Sequence, residues 1–203
     1  MEEDLDPGDL TGLVLAGGAS ERMGQDKAFL ELDGRPLIQI VVERIAQVCS
    51  EVLIVAGDAT SYTGFGVPVV ADQFHDVGVL GGLHAGLAAA THSLTLAVGC
   101  DMPFIKPPVL RAFARWAERH DVVLLRHNGH VEPLHGAYRR TCLPAIEAAI
   151  RAGERRIISF FPEVRVRTVS PEEVLAIDPR LESFRNVNTP DDWAAVKTNC
   201  PQD

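Results

Sequence analysis

The sequence predicts an α/β domain in three layers, with helices on both faces of a mainly parallel central sheet. Short apolar runs alternate along the chain with segments of helical period, the pattern of strands joined by crossover helices. These runs close at small or acidic residues: Gly17-Gly18, Gly57, Asp72 and Asp101 each follow one. Ligands bind beyond the carboxyl ends of such strands, so that shared placement points to one site. A chain of 203 residues, 46% hydrophobic, suffices for one sizeable core.

Residues 1–10 are polar and acidic and read as a mobile tail; 11–198 read as one domain. Leu13 to Ala16 is a buried strand. Asp33-Gly34 is a turn, and Pro36 opens a helix with Leu37, Ile40, Val41, Ile45 and Val48 on one face. Glu51 to Ala56 and Val67 to Ala71 are the next strands. Gly78 to Ala90 is a glycine-rich helix, and Leu94 to Gly99 a strand running into Cys100-Asp101-Met102-Pro103. Pro107-Pro108 start a helix that turns Leu110, Phe113 and Trp116 or Ala117 inward. Asp121 to Arg126 is a strand, followed by a hairpin around Asn128-Gly129. Thr141 to Gly153 is helical, with Pro144 acceptable only in its first turn. A short helix (156–161), a strand (164–169) and a helical turn (171–177) come next. Phe184 to Val187 reads as a last strand, and Thr189-Pro190 as the start of a last helix.

Composition excludes several classes. The net charge of −9 argues against a nucleic-acid surface. No apolar stretch reaches the ~20 residues of a membrane span, and the Met1-Glu2-Glu3-Asp4 start lacks the basic residues of a leader. Cys49, Cys100, Cys142 and Cys200 are scattered, as reduced thiols in the cytoplasm are. An acidic protein handling anionic substrates must concentrate positive charge locally.

The stretch from Leu13 to Lys27 does that. Gly17 and Gly18 let backbone N–H groups approach an anion, and Arg22 and Lys27 add fixed positive charge. The spacing fits neither a P-loop nor a dinucleotide fingerprint. The group resembles a grip for a nucleoside triphosphate. Asp101, directly after a strand, suits Mg²⁺, which takes one or two carboxylates plus phosphate oxygens; the competing reading is a turn-forming aspartate. Arg22, Lys27, Asp101 and a metal suffice for nucleotidyl transfer, since phosphoryl chemistry is mostly positioning and charge stabilisation. His127, His130 and His135 lack metal-ligand spacing and read as a solvated hairpin. Cys100 reads as a buried strand residue.

Leu15 to Lys27, Leu-Ala-Gly-Gly-x-Ser-x-Arg-Met-Gly-x-Asp-Lys, resembles the signature of the MobA-like molybdenum cofactor guanylyltransferases. Asp72, Gly78-x-Leu80-x-Gly82, Cys100-Asp101-Met102-Pro103-Phe104, Glu132-Pro133-Leu134 with Tyr138, and Asn186-Val187-Asn188-Thr189-Pro190 extend the resemblance over residues 11 to about 196. It implies a Rossmann-like, GT-A-like nucleotidyltransferase fold. The implied reaction is attack of the terminal phosphate of molybdopterin on the α-phosphorus of GTP, releasing pyrophosphate with Mg²⁺ as cofactor.

By the same resemblance, Leu15, Ala16, Gly17 and Lys27 would contact GTP, with Asp72 at the guanosine end and Asp101 on the metal and phosphates. Arg22 would stabilise the leaving pyrophosphate. Pro133, Leu134, Tyr138, Asn186 and Asn188 would face the acceptor, the two asparagines alternatively serving the metal. Contacts with cofactor-synthesis enzymes or recipient molybdoenzymes would be transient, with no nucleic acid or membrane involved. Two positions depart from the family pattern. Val79 stands where proline is common, and Ala56-Gly57-Asp58 lacks the asparagine that would meet the base, leaving Gly57 its backbone. Relatives using CTP resemble Leu-Ala-Ala-Gly at the loop, so Gly18 favours a purine. The rivals are transfer from CTP, a sugar-phosphate acceptor, and a non-catalytic nucleotide-binding module.

Overall fold

A computed structural model describes residues 9–16, 26–74, 77–187 and 192. In chain order the strands are β1 (Leu10–Leu15), β2 (Glu31–Leu32), β3 (Arg35–Pro36), β4 (Glu51–Ala56), β5 (Val69–Ala71), β6 (Leu94–Gly99), β7 (Val122–His127), β8 (His130–Arg139) and β9 (Val166–Val169). The helices are α1 (Leu37–Ile45), α2 (Val79–Ala89), α3 (Pro107–Trp116), α4 (Leu143–Arg151) and α5 (Pro171–Leu175).

β2 and β3 form a small hairpin, and the other seven strands make one sheet in the order β5-β4-β1-β6-β8-β7-β9. Four neighbouring pairs are parallel; only β8 runs against its neighbours, β6 and β7. Six strands therefore deliver their carboxyl ends to one edge, where β8 begins.

Strand alternation sorts the core into two layers. Val14 and Ile54 pack with Ile38, Val41 and Ile45 of α1 and Leu110 and Phe113 of α3. Leu13 and Val55 pack on the opposite face with Leu80, Leu83 and Leu87 of α2 and Ile146 of α4. Gly86 makes that second layer close: a Cβ there would lie 2.4 Å from Leu13 Cδ1. Among the described residues no helix is long and apolar enough to cross a membrane.

The strands at 51–56 and 94–99 match their apolar runs, and the hairpin turns at Asn128 (φ +49°) and Gly129 (φ +78°). Pro144 stands in the first turn of α4. The strand expected at Phe184 to Val187 is a correction. Glu182–Phe184 is a 3-10 turn, and the N–H groups of the expected strand bond elsewhere than in a ladder: Phe184 to Leu181 C=O (3.1 Å), Arg185 to Glu182 C=O (3.0 Å) and Val187 to Asp101 C=O (2.9 Å). The helix expected at Thr189-Pro190 begins outside the described residues.

Candidate functional site

Three backbone hydrogen bonds tie the strand ends into one rim. Ala16 N–H donates to Val55 C=O (2.8 Å), Cys100 N–H to Leu15 C=O (3.1 Å) and Asp72 N–H to Ala56 C=O (3.1 Å). Leu15, Ala16, Gly57, Asp72 and Asp101 are thereby gathered at the carboxyl edge. Gly17, Gly18 and Arg22 lie outside the described residues, as does Asn188.

Lys27 opens a 3-10 turn, Lys27–Phe29, capped by the Asp26 carboxylate through Ala28 N–H at 3.0 Å. Its charge acts on Asp101. Burial pushes the Asp101 carboxyl above the usual carboxylate range, and the Lys27 ammonium opposes that shift. A partly desolvated carboxylate attracts positive charge more strongly than one in water, and a carboxyl perturbed in this way marks a candidate functional group.

Asp101 lies in the turn after β6, where Met102 N–H reaches Gly99 C=O at 3.3 Å. Its carboxylate covers Gly99 so closely that a Cβ there would sit 2.7 Å from Oδ1. Gly99→Ala should therefore displace the carboxylate more than it disturbs the core. Activity is expected to fall about 100-fold, the scale of an ångström-sized misplacement, with little change in Tm. Wild-type turnover in this variant would show that the carboxylate need not occupy this position. Cys100, expected in the strand and buried, is half-buried in the turn, because β6 has already ended at Gly99.

Asp72 accepts Phe74 N–H at 2.9 Å and lies against the first turn of α2, where a Cβ on Gly81 would be 2.9 Å from both oxygens. Gly57 has open space on its side-chain face.

The antiparallel register adds a carboxylate that had no role in the sequence reading. Val98 of β6 pairs with His135 of β8, so Asp101 and Glu132 each lie three residues further toward the same edge. Burial raises the Glu132 carboxyl and the charge of Asp101 raises it further, while Leu134 N–H (3.2 Å) opposes. Among the described residues no group of three His, Cys, Asp or Glu side chains could hold a metal. Asp101 with Glu132 matches the one or two carboxylates Mg²⁺ takes when phosphates and water complete its shell.

Pro133 and Leu134 occupy the irregularity between β7 and β8 and are half-buried. Tyr138, expected to touch an acceptor, is fully buried and donates to Pro133 C=O at 2.6 Å. It has no surface for a ligand and instead supports the Pro133 bend.

A strap from Asp178 to Val187 crosses the 101–106 loop. Lys106 Nζ binds Asp178 (2.8 Å) and Glu182 (2.7 Å), Lys106 N–H donates to Ser183 Oγ (3.1 Å), and Val187 N–H donates to Asp101 C=O (2.9 Å). Asn186 is brought beside this junction, its Oδ1 buried and without a partner among the described groups.

His127 and His130 are exposed as expected, but His135 is not. It is fully buried, stacked on Phe184 at 4.3 Å, and its Nδ1 donates to Ser183 C=O at 3.0 Å. Burial lowers its pKa to about 4, so it serves as a neutral peg under the strap. On the β7–β9 side of the sheet, the β7–β8 hairpin and the Ile157–Glu163 3-10 segment border an open groove of about 930 Å³. Arg126, His130 and Arg156 line it opposite apolar Ile157, Phe161 and Val166.

Residues 12–168 match the model of the MobA-like NTP transferase domain. The chain is 41% identical over 187 residues to a probable molybdenum cofactor guanylyltransferase of Pelotomaculum thermopropionicum, covering 92% of this chain and 91% of that one. It is 39% identical over 194 residues to a molybdenum cofactor guanylyltransferase of Desulfosudis oleivorans, covering 93% and 96%. Among solved structures it resembles molybdopterin-guanine dinucleotide biosynthesis protein A from Archaeoglobus fulgidus, with TM-score 0.85 and 28% identity over 95% of this chain and 100% of that one.

Proposed function

The chain belongs to the MobA-like NTP transferase family, and from that premise we propose that it is a molybdenum cofactor guanylyltransferase. A terminal phosphate oxygen of molybdopterin bonds to the α-phosphorus of GTP while the bond to the pyrophosphate oxygen breaks. The observation that carries this reading is the placement of half-buried Asp101 in the turn after β6, at the carboxyl edge of a mainly parallel sheet within the segment that matches the MobA-like domain, with the Lys27 charge acting on it.

In this reading Leu15, Ala16, Gly17 and Gly18 follow the nucleotide with their backbone, Gly57 approaches the base, and Asp72 holds the guanosine end. Lys27 and Arg22 hold the triphosphate and the departing pyrophosphate. Asp101, with Glu132 beside it, would hold Mg²⁺, which when bound neutralises charge on the phosphates. Pro133, Leu134, Asn186 and Asn188 face the acceptor, and Tyr138 acts only by holding Pro133. The protein would work in the cytoplasm and meet its supplier and recipient enzymes transiently.

Pyrophosphate release measured with each of the four NTPs, with molybdopterin present, tests the assignment. GTP is expected to lead by at least about tenfold in kcat/KM, with no release when molybdopterin is omitted. A preference for CTP would overturn the guanylyl assignment. No release with any nucleotide would favour a binding module.

A further inference from the structure

The turn that carries Lys27 is short. Its two internal backbone bonds are Phe29 N–H to Asp26 C=O and Leu30 N–H to Lys27 C=O, both 3.1 Å. One such turn has little stiffness of its own, so its direction depends on what it is tied to.

Its tie is Tyr62. One oxygen of the Asp26 carboxylate caps Ala28 N–H, and the other accepts a hydrogen bond from the Tyr62 hydroxyl. Tyr62 is 3% exposed and lies within the Ala59–Phe65 3-10 segment that joins β4 to β5. That segment is itself anchored. Asp58 accepts Thr60 N–H (3.0 Å), Thr60 Oγ1 (2.6 Å) and Ser61 Oγ (2.7 Å), and Gly66 closes the end at φ +74°. The Phe29 ring stacks on Tyr62 at 5.3 Å, so the turn is held at both ends by one side chain. Burial, with the Asp26 carboxylate next, pushes the phenol far above its ordinary range, which keeps it a donor at any working pH.

We infer that Tyr62 is a positioning residue for nucleotide binding: its hydroxyl, through Asp26, fixes the turn that aims Lys27 at the triphosphate. This rests on the nucleotidyltransferase reading of Lys27. Tyr62 touches no reacting atom; it acts through Asp26, 36 positions away in sequence. The placement also joins two segments of the rim, since the β4–β5 connection starts at Gly57, beside the base end, and Lys27 serves the phosphate end.

The test compares Tyr62→Phe, Lys27→Ala and the double variant in the full chain. GTP Kd, GTP KM, kcat and Tm are read for each. Phenylalanine keeps the ring against Phe29 and removes only the hydroxyl. Tyr62→Phe is expected to raise GTP Kd and KM about five- to tenfold with kcat within about twofold, and to lower Tm by no more than about 4 °C. Lys27→Ala should raise GTP Kd at least about tenfold, and the double variant should be no worse than Lys27→Ala alone.

An unchanged GTP Kd in Tyr62→Phe, with Lys27→Ala impaired, overturns the tether and leaves the functional reading standing. A double variant whose losses multiply overturns it too, since Tyr62 would then act by another route. A lowered Tm with KM unchanged makes Tyr62 merely structural. If Lys27→Ala binds GTP normally, the triphosphate role of Lys27 falls, and the inference with it.

Discussion

Asp101→Asn is expected to lower guanylyl transfer by about 10²–10³-fold, the scale at which one charge-stabilising group matters in a transition state, while GTP still binds. Asparagine keeps the volume over Gly99 and the backbone carbonyl that accepts Val187 N–H. What disappears is the negative charge facing Lys27 and beside Glu132. Stability should move the other way. The folded-state pKa of Asp101 is raised by burial, with Lys27 opposing. A carboxyl of that kind costs stability once the pH rises above its unfolded value, and the cost is complete above its folded one. Removing the charge should leave Tm at pH 7 unchanged or higher. Turnover, GTP Kd and Tm measured together check this. A variant that turns over like wild type would remove Asp101 from the chemistry, and one that loses activity together with Tm would make its role structural.

Lys106→Ala should cost about 2–4 kcal/mol, somewhat below the roughly 3–5 kcal/mol of a fully buried ion pair, because the ammonium keeps partial contact with water. In a chain of this length that is a fall in Tm of about 4–16 °C. Asp178 has a side chain 0% exposed, and without Lys106 its carboxylate keeps Ser183 N–H as its main support. Burial pushes Asp178 up, but the bonds from Lys106 and Ser183 outweigh it and leave its pKa lowered. A depressed carboxyl contributes stability above its unfolded pKa and loses that contribution as pH falls through its folded one. The Tm gap between wild type and variant should therefore narrow below about pH 4. Activity should fall with it, because the strap that carries Asn186 and grips Asp101 C=O loses its latch. A Tm within a degree of wild type would show that the pair contributes little.

The relation between the two sites of change is physical. Asp101 sits where desolvation penalises its charged form while the Lys27 charge opposes that penalty, the kind of perturbed carboxyl that marks a candidate functional group. Lys106 and Asp178 lie one loop away and form the pairing that makes the strap hold still. His135 supports the same strap from beneath without carrying charge at neutral pH, as its pKa near 4 requires.

Local chemistry was legible in the sequence wherever neighbours decide the conformation. The apolar runs at 51–56 and 94–99, the Asn128-Gly129 turn and the prolines that open α3, α4 and α5 are set by side-chain period, positive φ and the missing proline N–H. Asp101 was legible for the same reason, as an acid placed directly after a buried strand.

What lay beyond reach depended on register and on contacts across long separations. Nothing near Glu132 in sequence reveals that β8 runs antiparallel to β6 and sets it beside Asp101. Histidine spacing at 127, 130 and 135 suggested solvent, but the sheet turned His135 inward against Phe113 and Phe184. Phe184 to Val187 has a strand's composition, yet its N–H groups at Phe184, Arg185 and Val187 are taken by Leu181, Glu182 and Asp101 C=O rather than by a sheet edge. The Tyr62–Asp26 bond joins two segments whose own patterns say nothing of each other. By itself the sequence determined most of the strands and helices, the rim on which a site could form and the family to which its motifs belong. Only the tertiary structure decided which carboxylates share that rim, which side chains support it from behind and how the strap meets Asp101, because those follow from strand order and register, and no local period encodes either.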